Sequence, residues 1–180
     1  MIGFTFLLFL NFFSQEPVYE TMSKEIIKKY SKEVLKPNDL PIYVMGGSSD
    51  KGINSITLGV NKKGPGTIKE GRRLIVNLVS ELIARYNNSE QIRPYLLNYP
   101  FDENNFVFKV SYINPQGGFW IKQVDRKNDE QIALIGLYYG TIQYCIHTGD
   151  EIAPLQKVHQ ETFENAVRIV KEDDERIKNN

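Results

Sequence analysis

The sequence predicts an α+β fold: an antiparallel sheet of about four to five strands with two or three helices packed on one face. Three observations carry this. Apolar residues recur with the helical period in three separate stretches, near residues 18–35, 67–88 and 155–177. Segments that alternate apolar and polar residues are mostly grouped between the second and third stretches instead of following each helix in turn. No internal repeat, low-complexity tract or linker divides the 180 residues, about one domain's length.

The elements follow in order. Residues 1–15 carry no charged side chain, and the apolar run at 2–13 holds five of the ten phenylalanines. Its 12 residues would span about 18 Å as a helix, short of the roughly 30 Å core of a bilayer, which suits the apolar region of a secretory signal peptide. The pattern departs from such a signal in two ways. No Lys or Arg precedes the run, and no A-x-A-like site follows it, since Phe12 stands two before Ser14. The alternatives are an uncleaved anchor, giving membrane contact through residues 1–15, and a helix or strand of the domain itself. No lipobox cysteine is present, since Cys145, the only cysteine, lies far downstream, so N-terminal lipidation by that route is excluded.

The α+β domain is expected over residues 18–177. Val18, Met22, Ile26, Tyr30 and Val34 recur at every fourth position and form the apolar stripe of a helix that Pro37 stops. Residues 42–45 read as a short strand cut off by the Gly46-Gly47-Ser48-Ser49-Asp50 run, and residues 53–61 as a half-buried strand facing inward through Ile56, Leu58 and Val60. Thr67 and Glu70 form a capping box at the start of the strongest helix, whose face is Ile75, Leu78, Val79, Leu82, Ile83 and Tyr86. A short helical turn is expected around Arg93-Pro94, a strand from Phe106 to Tyr112, and another over residues 119–124 before a polar loop at 125–130. Residues 131–138 and 141–147 read as a hairpin turning at Tyr139-Gly140. A last helix is expected over residues 155–177, fraying from Lys171 onward.

Composition excludes several classes. Twenty-two basic and 22 acidic residues leave no net charge, which argues against broad electrostatic binding to nucleic acid or an anionic membrane. One cysteine makes no intrachain disulfide. No pair of carboxylates has a spacing that points to a shared acid–base cleft, and no motif calls for a metal or a cofactor.

The residues with chemical potential are few. On a strand, Cys145 and His147 share a face, which offers a nucleophile and a base, or two legs of a metal site with His159 as a third. Nothing in the sequence supplies the orienting group such a pair needs, and a half-exposed sheet face explains them as well. Residues 46–52 are glycine-rich enough for an anion-binding nest, and Lys62-Lys63-Gly64-Pro65-Gly66 meets a helix N-terminus, but neither matches a phosphate-loop pattern and Glu70 already occupies the second. Arg72 and Arg73 stand at the start of a helix, where cations are disfavoured, and call for acidic partners elsewhere. Asn87-Asn88-Ser89 matches the glycosylation acceptor pattern. Arg93, Tyr95, Tyr99 and Phe101 make a loop dense in aromatics: either a recognition surface or a loop stapled to the core.

Three segments together resemble an uncharacterised family of small exported bacterial α+β proteins, found in bacteria that live inside host cells. They are Gly46-Gly47-Ser48 before the strand at 53–60; Glu70-Gly71-Arg72-Arg73-Leu74-Ile75-Val76; and Ile92-Arg93-Pro94-Tyr95-Leu96 with Tyr99-Pro100-Phe101 and Asn105. The resemblance covers about residues 18–170 and implies an exported α+β domain, with no activity and no residue role attached. The expected function is an exported, non-catalytic domain that binds a protein or small ligand of the envelope or host and does not bind nucleic acid. The alternative is a small thiol-dependent hydrolase using Cys145 and His147. A third reading is a structural protein held at the membrane by residues 1–15.

Overall fold

The Thr67–Glu70 capping box starts the helix around which the sheet is arranged. In the computed structural model, which describes residues 17–48, 51–119, 131–149 and 154–179, Thr67 Oγ1 accepts from the Glu70 N–H at 3.2 Å. The Thr67 N–H donates to Glu70 Oε2, also at 3.2 Å. This satisfies two otherwise orphaned groups at the head of a helix spanning Ile68–Asn88. Its buried stripe includes Ile75, Leu78, Val79, Leu82 and Tyr86, as the helical period requires.

We number the helices α1 (Val18–Tyr30), α2 (Ile68–Asn88) and α3 (Phe163–Lys178). The strands are β1 (Ile42–Ser48), β2 (Ser55–Lys63), β3 (Gly66–Thr67), β4 (Phe106–Ile113), β5 (Gln131–Ile132), β6 (Leu134–Tyr138), β7 (Thr141–His147) and β8 (Leu155–Thr162). Six strands form one sheet in the order β1-β2-β4-β6-β7-β8, and β3 pairs with β5 beside it.

The α+β class is as expected, but the sheet is larger than four to five strands and is mixed. The strands on either side of α2, β2 and β4, run parallel, with Ile56 opposite Phe106 and Lys63 opposite Ile113. A helix between two strands returns the chain to the end from which it started, so neighbours joined this way point the same direction. The other neighbours in the sheet pair antiparallel.

The second correction concerns residues 155–162, expected as the first turns of the last helix. They form the edge strand β8, paired with β7. The helix starts only after Thr162, whose Oγ1 accepts from the Asn165 N–H at 3.1 Å and caps α3. Leu155 and Val158, three apart, mimic a helical stripe, but the inward residues of the segment are His159 and Glu161, which alternate as strand residues do. The far end of α3, Lys178, is within one residue of the expected one, and along this last stretch Lys69 of α2 pairs with Asp173 at 3.2 Å and Arg73 pairs with Asp174. The first helix runs as far as expected: past Tyr30 the chain continues in wider and then tighter turns through Ser31–Leu35 and Lys36–Asn38. The strand expected at 119–124 and the loop at 125–130 lie outside the described residues apart from Phe119, which bridges to Ile113. Residues 1–15 lie outside them as well.

All three helices cover the same face of the sheet. Beneath α2 lie Ile56, Leu58 and Val60 from β2, Phe106, Phe108 and Val110 from β4, Ile135 and Leu137 from β6, and Ile142 and Tyr144 from β7, all buried. On the opposite face no described helix packs. Ser111 Oγ donates there to Tyr43 Oη at 3.1 Å, and Lys109 Nζ stands 5.5 Å from the centre of the Tyr138 ring.

The β6–β7 hairpin closes at Tyr139-Gly140, with φ of 47° and 81°. Two left-handed residues are what a two-residue turn between right-twisted strands requires, and glycine supplies the second at no steric cost. Tyr139 has no such freedom and is 59% exposed, so its side chain gains little to offset the strain. Replacing it with asparagine, which tolerates this conformation, is expected to stabilise the fold by about 1 kcal/mol, raising the melting temperature by about 2–4 °C. A calorimetric scan showing an unchanged or lower midpoint would contradict that.

Candidate functional site

Two places in the fold gather polar or exposed groups in a way packing alone does not require. One is the free edge of the sheet at β1; the other is a buried cluster around Glu161.

Six of the seven residues of β1 are exposed, and no charged side chain lies among them. Tyr43, Val44 and Met45 are 46%, 36% and 49% exposed. Edge strands normally carry a charge, a bulge or a cover that blocks further pairing. The opposite edge, β8, obeys this rule: it carries Lys157, His159 and Glu161, and its register shifts at Tyr144/Cys145. β1 has one register shift, between Ile42 and Val44, and beyond it no such protection among the described residues. The local sequence explains the shape. The N–H of Asn61 donates to the Pro41 carbonyl, and that of Asn54 to the Ser48 carbonyl, fixing both ends of the β1–β2 ladder. Gly59 lies across from Val44; a Cβ there would stand 2.5 Å from Val44 Cγ1, so its absence lets Tyr43 and Val44 fold over β2.

Next to this edge, between β1 and the first turns of α1, is a cavity of about 280 Å³. Ile27, Ile53, Ile56 and Met45 give it apolar walls, and Glu20 and Lys24 are at its rim. A larger furrow of about 910 Å³ runs between α1 and α2. Its walls are ionic: Arg85 bridges Glu33 at 2.8 Å and Glu81 at 2.9 Å, and Lys28 pairs with Glu25 at 3.3 Å, which describes a solvated helix–helix surface.

The aromatic loop predicted as a binding surface is stitched to the end of β1–β2. The Ile53 N–H donates to the Tyr95 carbonyl at 2.7 Å, the Leu97 N–H to the Ile53 carbonyl at 3.0 Å, and Asn98 Nδ2 to Asn54 Oδ1 at 2.9 Å. Its four predicted residues divide. Phe101 is buried to 2% and packs 5.9 Å from both Tyr86 and Phe106, so it belongs to the core and presents no surface. Arg93 donates through Nε to the Asn87 carbonyl at 2.8 Å, tying the end of α2, and lies 5.8 Å from the Tyr99 ring. Tyr95 is half-buried, 5.7 Å from Tyr19 of α1. Tyr99 is exposed, together with Leu97, which sequence reasoning did not single out. Leu97 and Tyr99 are thus exposed apolar residues of the loop that docks at Ile53 and Asn54, beyond the end of β1.

Cys145 and His147 occupy one strand face as expected, but no interaction among the described residues joins them. His147 Nδ1 accepts from the Gly149 N–H at 3.1 Å, and its ring lies 5.9 Å from Phe119. Burial pushes the Cys145 thiol above its ordinary value, and Lys157 only partly offsets this. A nucleophilic cysteine needs the opposite shift. No group of three His, Cys, Asp or Glu side chains among the described residues is placed to hold a metal ion.

The sequence pattern hides the Glu161 cluster, because it assigns residue 161 to a helix. On β8 its side chain turns inward, is 4% exposed, and meets Arg72 Nε at 2.7 Å. Tyr144 Oη donates to the same carboxylate oxygen at 2.5 Å, and Asn165 Nδ2 to the other at 3.0 Å. Burial and the Glu161 contact both push Tyr144 well above the ordinary tyrosine range, so the phenol stays protonated. Burial opposes the Arg72 cation, but Glu161 outweighs it and holds the guanidinium charged. His159 directs Nε2 inward, 3.8 Å from Glu161 Oε1 and without a hydrogen bond. This arrangement ties α2, β7, β8 and α3 together. Arg72 and Arg73 thus have the acidic partners that the sequence called for.

No family model, no curated protein and no solved structure matches the chain.

Two outcomes are expected. Glu161→Gln leaves the Arg72 cation buried without its counter-ion and should cost about 3 kcal/mol, read from the midpoint of urea unfolding. A loss below about 1 kcal/mol would mean the pair behaves as a surface bridge. Iodoacetamide should alkylate Cys145 in the folded protein about tenfold more slowly at pH 7.5 than in urea-unfolded chain, with the rate climbing as pH rises past the ordinary thiol range. Faster alkylation of the folded form would restore the thiol chemistry.

Proposed function

We propose that this chain is an exported, non-catalytic domain that binds another protein. The observation that carries the binding half is the edge of β1: uncharged, exposed and apolar, beside a cavity and flanked by Leu97 and Tyr99. Exposed apolar surface gathered along an edge in this way marks interaction sites. Export is supported by the uncharged apolar residues 1–15 and by the resemblance to exported bacterial proteins. Among the described residues, no helix is long and apolar enough to cross a membrane. The partner on this reading belongs to the envelope or the host, and neither nucleic acid nor a cofactor takes part.

Two measurements test the reading. The intact mass of the chain recovered from fractionated cells should lack about the first 14 to 22 residues and be found in a periplasmic or secreted fraction. A full-length mass in the cytosol would overturn export. A photo-cross-linking amino acid at Met45 or Tyr99 should give a discrete adduct in intact cells, and one at Glu175 of α3 should give none. No adduct from Met45 or Tyr99, or equal labelling from all three positions, would overturn the binding role.

A further inference from the structure

The free edge of β1 specifies more than a sticky patch. Along any strand alternate residues aim their N–H and C=O groups away from the paired neighbour, and at β1 those groups have no strand opposite them among the described residues. What satisfies such a row is another extended backbone. We infer that β1 accepts an extended, uncharged segment of a partner protein as a seventh strand, with one apolar side chain of that segment seated in the cavity between β1 and α1. The inference rests on the binding reading above and names the form its partner takes.

Three features select this occupant. First, the cavity opens at the strand itself. Gly46 and Gly47 stand at its wall, and Gly47 pairs with Ile56 on the helix side of the sheet, so past Met45 no side chain of β1 separates the strand's free edge from the cavity. An apolar cavity of about 150 Å³ accepts a benzene ring. At about 280 Å³, with Ile27, Ile53 and Ile56 in its lining, this one admits a leucine or phenylalanine side chain. Side chains two apart on an incoming strand share a face, so one residue fills the cavity while its neighbours point to the helix-free side, toward Tyr43 and Val44.

Second, charge favours a neutral segment. β1 carries none, and Glu20 and Lys24 at the cavity rim are of opposite sign, so neither an acidic nor a basic peptide gains.

Third, size argues against a second copy of this chain. The register shift between Ile42 and Val44 leaves residues 44–48 in regular register. A ladder of that length is about 17 Å long and, edge to edge between two folded copies, buries on the order of a few hundred Å². Stable dimers bury about 1,200–2,000 Å². A flexible segment makes the same ladder and fills the cavity as well, so β-augmentation by a peptide fits this edge better than self-pairing.

The test uses the full chain and a displayed library of random twelve-residue peptides as the probe. Enriched peptides should share an uncharged core with apolar residues at alternate positions. Bound to the isotope-labelled protein, the best of them should slow hydrogen exchange at the β1 amides about tenfold or more. N-methylation of the peptide at every second residue should abolish binding in one phase and spare it in the other, because only alternate amides face the ladder. Met45→Lys should weaken binding about tenfold with an unchanged melting temperature. Should that variant fail to fold, the N-methyl scan on the unaltered protein decides alone. Peptides that shift Lys109 and Tyr138 on the helix-free face would overturn the edge assignment while leaving a binding domain. A protein that sediments as a dimer with protected β1 amides would overturn the peptide in favour of a second copy. A library that yields no binder would overturn the inference, and a concurrent absence of cross-linked adducts would overturn the binding role with it.

Discussion

One carboxylate holds together the half of the molecule that would otherwise come apart most easily. β8 is an edge strand with few apolar side chains, and α3 follows it directly. What fixes both to the rest is Glu161, which accepts from Arg72 on α2, Tyr144 on β7 and Asn165 on α3. A buried carboxylate is costly in isolation, and only a full set of donors makes it tolerable. Here the set comes from three elements, so the cost of stranding the charge becomes a penalty for moving any one of them. The pairs between α2 and α3, Lys69 with Asp173 and Arg73 with Asp174, extend the same link along the helices at lower worth because they are more exposed.

The two edges of the sheet thus differ in kind. Both carry a register shift, but β8 is charged and locked from the inside. β1 is neutral and exposed, and it is attached through its ladder to β2 and the stitching of the 93–99 loop to Ile53 and Asn54. Sheets with one guarded and one open edge are asymmetric in what they can recruit: only the open side offers backbone groups to a newcomer. The helix-free face adds a second asymmetry, since Tyr43 and Val44 lie over Gly59 where a helix would pack in a three-layer fold.

Much of this was legible in the sequence where a local rule decides. Thr67 and Glu70 announced α2, Tyr139-Gly140 announced the hairpin, Arg93-Pro94 announced a single turn, and two arginines at a helix start announced acidic partners. The parallel pairing of β2 and β4 was not legible, because nothing in either strand records which neighbour it chooses; that follows from the crossover of α2. β8 is hidden in the sequence because Leu155 and Val158 lie at a helical spacing, while the strand is set by its register with β7. Missing β8 hid Glu161, since a residue on a helix flank has no reason to be buried. At the β1 edge, the glycines of residues 46–47 read as the end of a strand, whereas they continue it to Ser48. Of the aromatic loop, the aromatic density was visible but not the division between Phe101, which packs inward, and Tyr99, which does not.

The parallel pair at the middle of the sheet also sets a clock. The β1–β2 hairpin is complete early in the chain, yet the strand that covers its other side, β4, is synthesised only after α2 and the loop behind it. At about 5–20 residues per second, that interval lasts several seconds. During it the β1–β2 hairpin exposes both edges and its apolar face, and a two-stranded hairpin on its own is marginally stable at best.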